Sequence, residues 1–588
     1  MTILPSASPS MRYSLTPSCA KPIRCNLQAA SSCVLLLVLT GALVAEPPSY
    51  QGLSTGQYLG EVEVLATVKD TRVFTEGPAW TPDGALLFTN VPVSRILKWD
   101  PRRRALSVFR DNTSETNGLY FAPDGSLLAC EGRAGRVTRT DPATGRIHVL
   151  ADGFGGRKLA MPNDLCMDRY GRVYFTSRSS VKNPAGENSK AVYRIDVDGT
   201  VHQLLAEPQV HMPNGIVISP SGNRLYLIEA HPDENFNRRI NVYDLKPDGT
   251  LHKGRTLIDF YPGRSGDGMC IDERGNLYVA AGLHATRGTS ETLSTRPGIH
   301  VISPEGKLLA FRETPEDTIT NCAFGGPDLH QLFVTCGSKL LRIPTKTRGF
   351  RLTSDQLLNQ LGSDYRLSIA MTTKFPVRTT HGPITGRQAV RVDIDRYVRL
   401  LGPELRLYPH QLIKQSGLRK VVLCTDLKFD GQARSAIPDF EHQTLFLDVK
   451  RGASDARYQR LVIHHEFFHI VDYVDDGKLN QDAVWSRLNA TKFRYGEGGR
   501  AAQNNPTTSV LTTNYPGFLN HYSTTAVEED KAEVFAHLVV NAEYCRQRAA
   551  KDKVLSAKFD RMKLSLNKWC SALDTSFWQR AEMVRRDP

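Results

Sequence analysis

The chain has 588 residues, too many for one hydrophobic core, so at least two domains are expected. Its 40% hydrophobic and 23% charged residues give the balance of a folded globular protein and exclude a disordered or collagen-like chain. The net charge of +13 is scattered, Pro101-Arg102-Arg103-Arg104 being the tight basic cluster, and no aromatic–basic stripe accompanies it, so no nucleic-acid partner is expected.

Residues 1–46 read as a signal peptide. Arg12, Lys21 and Arg24 precede an apolar run from Cys33 to Ala45, a length that suits a signal core and is short for a spanning helix. Cleavage is expected between Ala42 and Glu46. No later stretch is long and apolar enough to span a membrane, so the mature chain is expected to be exported: periplasmic, secreted or associated with the cell envelope. Of eleven cysteines, the eight beyond the signal are dispersed and form no CxxC pair, which argues against a zinc ribbon or a dense disulfide framework. Cys322 with Cys336 and Cys545 with Cys570 are the pairs an oxidising compartment could join.

Within an expected domain over residues 47–345, the chain repeats from about residue 60 onward. Turns recur at Pro82-Asp83-Gly84, Pro123-Asp124-Gly125, Asp168 to Gly171, Pro220-Ser221-Gly222, Asp272 to Gly275 and Gly326-Pro327-Asp328, in steps of about 41 to 54 residues. A short β-rich strand follows most of them, such as Arg172-Val-Tyr-Phe-Thr or Asn276-Leu-Tyr-Val-Ala. Turn, strand and period together predict a β-propeller, and six turns make it six-bladed, five or seven blades being the alternatives; a parallel solenoid would have shorter repeats. One polar residue recurs ahead of the strand run in four blades: Glu76, Asn163, Asn214 and Asp267. The fold should gather all four at one end of the central channel. Two carboxylates and two amide carbonyls suit calcium or another hard divalent cation; ordinary turn chemistry is the competing reading of each residue taken singly.

The segments Glu76-Gly-Pro-Ala-Trp, Thr116-Asn-Gly-Leu, Pro162-Asn-Asp-Leu, Pro213-Asn-Gly-Ile, Asp267-Gly-Met and Thr320-Asn-Cys-Ala-Phe-Gly-Gly resemble the senescence-marker-protein/gluconolactonase family. The resemblance implies a central divalent metal held by Glu76, Asn163, Asn214 and Asp267, with a sugar lactone as substrate and Asp267 also moving the proton. It implies further that Asn117 and Asn321 line the channel. Many members carry Thr-Asp-Pro where this chain reads Thr176-Ser177-Arg178, which leaves open a propeller that only recognises substrate or an envelope glycan.

Residues 346–365 break the repeat and are expected to link the propeller to an α+β domain over 366–588. Its centre is His464-His465-Glu466-Phe467-Phe468-His469. His465 and His469 are four apart, so on a helix they share a face and can grip zinc, while Glu466 can take a proton from the attacking water. His464 is out of register. Further on, Thr525 and Glu528 have capping-box spacing, which predicts a helix start, with Glu529 and Glu533 on its inward face. Two inward carboxylates need a cationic partner; one can ligate zinc while the other holds a ligand from behind. Glu528 is the rival to Glu529.

The stretches His465–Tyr473 and Tyr522–Ala536 resemble zinc-binding metallopeptidases of the anthrax lethal factor-like branch of gluzincins. The resemblance implies His465, His469 and Glu529 as zinc ligands, Glu466 as general base and Tyr522 as oxyanion donor. Glu533 and Asp472 become supporting acids. Neither the Gly and third His of metzincins nor the Asp four residues after the ligand Glu of thermolysin is present. Thr444–Val449 is expected to pair with an extended peptide substrate, and the run from Gly496 to Thr513 to cover the cleft. The whole reads as a multidomain exported hydrolase, a zinc peptidase carrying a metal-dependent lactonase-like propeller. The alternatives are a peptidase with a non-catalytic propeller and an envelope scaffold with structural metals.

Overall fold

Each of the six expected turns joins an innermost strand to the next strand outward, and each contains a glycine in the left-handed region: Gly84, Gly125, Gly171, Gly222, Gly275 and Gly326, with φ from +71° to +88°. Glycine adopts this conformation without the steric cost other residues bear. The computed structural model describes residues 48–142, 144–179, 187–188, 190–476, 479, 481–496, 498 and 508–583. The expected signal segment and residues 497 and 499–507 of the expected cleft loop lie outside them.

Six four-stranded antiparallel sheets form the six blades. Blade 1 starts with Thr75–Trp80, blade 2 with Thr116–Phe121, blade 3 with Pro162–Met167, blade 4 with Pro213–Ile218, blade 5 with Gly266–Ile271 and blade 6 with Ile319–Gly325. These innermost strands ring the axis so closely that a Cβ on Gly77 would stand 2.3 Å from the carbonyl oxygen of Asn117. Blade 6 draws its outer strand, Glu63–Thr67, from the start of the propeller, where it pairs with Lys339–Pro344. This closure ties the two ends of the repeat together.

His300 lies in the third strand of blade 5, wholly buried, with Nε2 2.8 Å from the Tyr50 hydroxyl. Burial pushes its pKa down to about 4, more than backbone contacts at Gly298 and Val279 restore. The unfolded chain takes up this proton near pH 6.5, so the contribution from a neutral His300 is complete above 6.5 and lost as pH falls to 4. His300→Gln is therefore expected to reduce the acid destabilisation between pH 6.5 and 4 by about 3 kcal/mol. Thermal midpoints at pH 7 and 4.5 measure this.

The segment expected as a linker is built into both halves. Glu273 donates its N–H to Arg348, Phe350 donates to Ile271, and Leu352 packs into the apolar cluster between blades 2 and 3. Thr353 then caps helix α1 (Ser354–Tyr365), whose Leu358 and Leu361 belong to the C-terminal core. Beyond it come α2 (Arg391–Arg406), α3 (His410–Ser416), α4 (Ala456–Asp476), α5 (Ala483–Ser486) and α6 (Val527–Val540), then α7 (Ala542–Ala549), α8 (Lys553–Trp569) and α9 (Thr575–Met583). Arg399 of α2 bonds Asp141 of the propeller, and Arg406 lies 5.1 Å from the ring centre of Tyr170. The C-terminal part is thus a mixed sheet with helices packed against it.

In that sheet Lys420–Phe429 and Thr444–Asp448 run parallel, and Ala436–Asp439 pairs antiparallel with the latter. Thr444–Asp448 is therefore an interior strand, which corrects the expectation that it offers an edge to a peptide. Ala436–Asp439 holds the edge. Asp448 donates to Ser435 at 2.9 Å, so by alternation the outward groups of the strand are those of Ala436 and Pro438. A proline there loses no ladder bond.

All eight cysteines among the described residues are free. Cys322 lies 3.6 Å from Cys270 and Cys336 donates to the Glu316 carbonyl, so the expected Cys322–Cys336 pair is not formed, and neither is Cys545–Cys570.

Candidate functional site

Two groups of polar side chains are buried where apolar packing alone would not put them. In the propeller, Glu76, Asn117, Asn163, Asn214 and Asp267 are each the second residue of an innermost strand, and Asn321 is the third of its own. The register of every innermost strand slips at this level. Such bulges bend a strand and re-aim its side chains.

Asn321 Nδ2 stands 3.3 Å from both Glu76 Oε2 and Asp164 Oδ2. Asn214 Nδ2 donates to one oxygen of Asp267 and Arg264 to the other, each at 2.5 Å. Asn163 is buried at the same level in blade 3. Asn117 Oδ1 is buried with no hydrogen-bond partner, an orphaned acceptor in the same ring. Burial, together with the charges of Asp267 and Asp164, pushes the Glu76 carboxyl well above the carboxylate range. Asp164 rises to about 7, because burial outweighs its bonds from Leu165 and Asn321 and Asp267 adds repulsion.

Asp164 and Arg264 were not singled out from the sequence. Asp164 carried a signal: blades 1, 2, 4 and 5 have glycine directly after the channel residue (Gly77, Gly118, Gly215, Gly268), whereas blade 3 has an acid. Arg264 carried none, since it lies in a loop before the strand. When all three are ionised, Glu76, Asp164 and Asp267 bring three negative charges, and Arg264 is the one cationic side chain bonded to them among the described residues. The sum of minus two, with an orphaned amide oxygen at the same strand level, is what a divalent cation would complete. Toward the other end of these strands, Phe350, Arg351 and Leu352 help line a cavity of about 150 Å³.

The second group lies between α4 and α6. His465 Nε2 is 3.0 Å from Glu529 Oε2 and 3.1 Å from His469 Nε2, and His469 Nε2 is 3.5 Å from the same Glu529 oxygen. Among the described residues this is the one set of three acid or imidazole ligand atoms lying within 4.8 Å of one another. Glu533, one turn further along α6, takes His465 Nδ1 at 2.9 Å, and Asn520 donates to its other oxygen at 2.6 Å. A proton held on Nδ1 leaves the Nε2 lone pair facing the cluster, the tautomer a metal needs. Burial opposes charge on both partners, yet the bonds from the two imidazoles hold Glu529 well below the usual carboxylate range. Burial also disfavours a charged His465, but Glu529 and Glu533 raise its pKa well above the ordinary value.

Glu466 is half-buried; burial raises its pKa against the opposing charges of His465 and His469. The Tyr522 ring centre is 5.9 Å from that of His465. Glu528 is half-buried and stands outside the cluster. Asp472 bonds Lys531 of α6, and so ties the two helices together. His464 bonds the Tyr408 hydroxyl and Glu404 in the core, away from the triad. The expected capping box is absent: α6 is preceded by Ala526 with no side-chain cap, and the Thr525 hydroxyl turns back to the Tyr522 carbonyl.

Residues 74–338 match the family model described as the SMP-30/Gluconolactonase/LRE-like region. A gluconolactonase of Zymomonas mobilis is 29% identical over 320 residues, covering 49% of this chain and 82% of that protein. A regucalcin of Xenopus laevis is 25% identical over 284 residues, covering 47% of this chain and 87% of its own. Among solved structures, a gluconolactonase from Xanthomonas campestris is 26% identical, with a TM-score of 0.42 over 51% of this chain and 95% of that one.

Proposed function

We propose, from the premise of a gluconolactonase-like propeller over residues 74–338, that this chain is a metal-dependent hydrolase of sugar lactones. The observation that carries the reading is the burial of Glu76, Asp164 and Asp267 within electrostatic reach of one another in the region that matches the family, Asn321 bridging the first two and an orphaned acceptor on Asn117 at the same strand level. Glu76, Asn163, Asn214 and Asp267 would hold a calcium or other divalent ion. When bound, such an ion supplies Lewis-acid polarisation of a carbonyl. Asp267 takes a proton from the water that attacks the lactone carbonyl carbon; the ring C–O bond breaks, and its oxygen receives the proton, giving the hydroxy acid.

The test uses the full chain with an aldonolactone and calcium in a pH-stat. Hydrolysis should stop with chelator, return with calcium, and fall about 10³-fold in Asp267→Ala, which also loses the ion. Equal rates for Asp267→Ala and wild type would leave the propeller as a recognition module.

A second activity is favoured by one further observation, the His465–His469–Glu529 cluster with Glu533 behind it. These three residues would hold zinc, whose Lewis acidity serves amide hydrolysis. Glu466 accepts the proton of the attacking water and passes it to the leaving amine, and the Tyr522 hydroxyl supports the developing oxyanion. The peptide would pair with the outer edge of Ala436–Asp439, where Ala436 offers a donor and an acceptor and Pro438 an acceptor. Export of the mature chain, cleaved near residue 46, completes the proposal.

A further inference from the structure

Arg264 lies three residues before Asp267, in the loop leading into blade 5, with its side chain 11% exposed. One terminal nitrogen bonds Asp267 Oδ2 at 2.5 Å. The other reaches the carbonyl of Ile319 at 3.3 Å, at the start of the innermost strand of blade 6, and that of Gly282 at 3.5 Å. The guanidinium is thus fixed across blades 5 and 6 and cannot be a solvated surface charge. Asn214 and Arg264 together engage both oxygens of Asp267, whereas Glu76 and Asp164 meet only amide groups.

We infer that Arg264 is a built-in counter-charge that sets the valence of the ion the propeller channel accepts. This rests on the metal reading above and goes beyond it. Three carboxylates that ionise around a bound ion in a buried ring favour a trivalent ion, because Coulomb attraction grows with ionic charge and is little screened where burial is deep. One fixed guanidinium cancels one carboxylate, and the remaining two negative charges balance a divalent ion. Arg264 is a specificity-determining residue by charge, acting through Asp267; its shape matters only in holding that charge in place.

The experiment measures calcium and terbium affinities of the full chain by competition, with the channel signal defined as the part lost in Glu76→Gln. Arg264→Gln is expected to shift the ratio of affinities toward terbium by tenfold or more. Arg264→Lys, which keeps the charge, should stay near the wild-type ratio. The double variant Arg264→Gln/Asp164→Asn, which restores minus two, should return toward it even if the single variant folds poorly. A wild-type ratio in Arg264→Gln overturns the inference, and so does an equal shift in Arg264→Lys. A wild-type channel that binds neither ion overturns the inference together with the metal reading, an outcome distinct from an unshifted ratio.

Discussion

Glu466→Gln is expected to lower peptide hydrolysis by about 10³- to 10⁴-fold while leaving one zinc per chain in the C-terminal part. Glutamine keeps the shape of Glu466 but accepts no proton, and Glu466 is not among the three converging ligand atoms. Glu529→Gln should do the reverse and lose the ion first, since its Oε2 is the oxygen that faces both imidazoles. Metal content by mass spectrometry, read beside turnover of a mixed peptide library, separates the two. A Glu466→Gln protein with unchanged turnover would remove the peptidase reading; loss of zinc together with turnover would move Glu466 into the ligand set. The raised pKa of Glu466 gives the pH sign: the base is active when ionised, so turnover should climb with pH through a midpoint above the ordinary glutamate value.

Lys558→Met is expected to cost about 3–5 kcal/mol of stability, the largest single effect in the C-terminal part. Lys558 and Asp530 are both fully buried, 2.7 Å apart. Asp530 also accepts from the Trp485 indole at 2.8 Å and the Tyr495 hydroxyl at 2.7 Å, and Lys558 donates to the Gly517 carbonyl. Removing the ammonium leaves a carboxylate in the core with its charge uncompensated. Burial already raises the Asp530 pKa against the pull of Lys558, so loss of the lysine would drive it further toward the neutral form. Because Asp530 adjoins Glu529 on α6, zinc affinity should fall with stability. Adding Asp530→Asn to Lys558→Met should recover much of both, measured by thermal midpoint and zinc titration. If the single variant unfolds with the wild type, the pair is not the anchor of α6.

Some of this molecule is short-range and was legible in the chain. Turn glycines at a spacing near fifty residues encode blades, because each blade is a local meander whose strands follow one another in sequence. His465 and His469 share a helical face through a spacing of four, and the apolar residues around them fix which face is inward. The out-of-register His464 accordingly sits in the core with Glu404 and Tyr408.

What tertiary structure decided depends on partners distant in sequence. Glu63–Thr67 closes blade 6 only because the ring brings residues 63 and 342 together. Sheet order, not strand composition, gave the free edge to Ala436–Asp439 instead of Thr444–Asp448. Asp164 and Arg264 acquire meaning only when blades 1, 3, 5 and 6 meet on one axis and their charges must be summed in one buried space. Sequence specifies which face each side chain turns to; the sum of charges in a shared cavity is a property of the closed fold, since it depends on distances no local pattern contains.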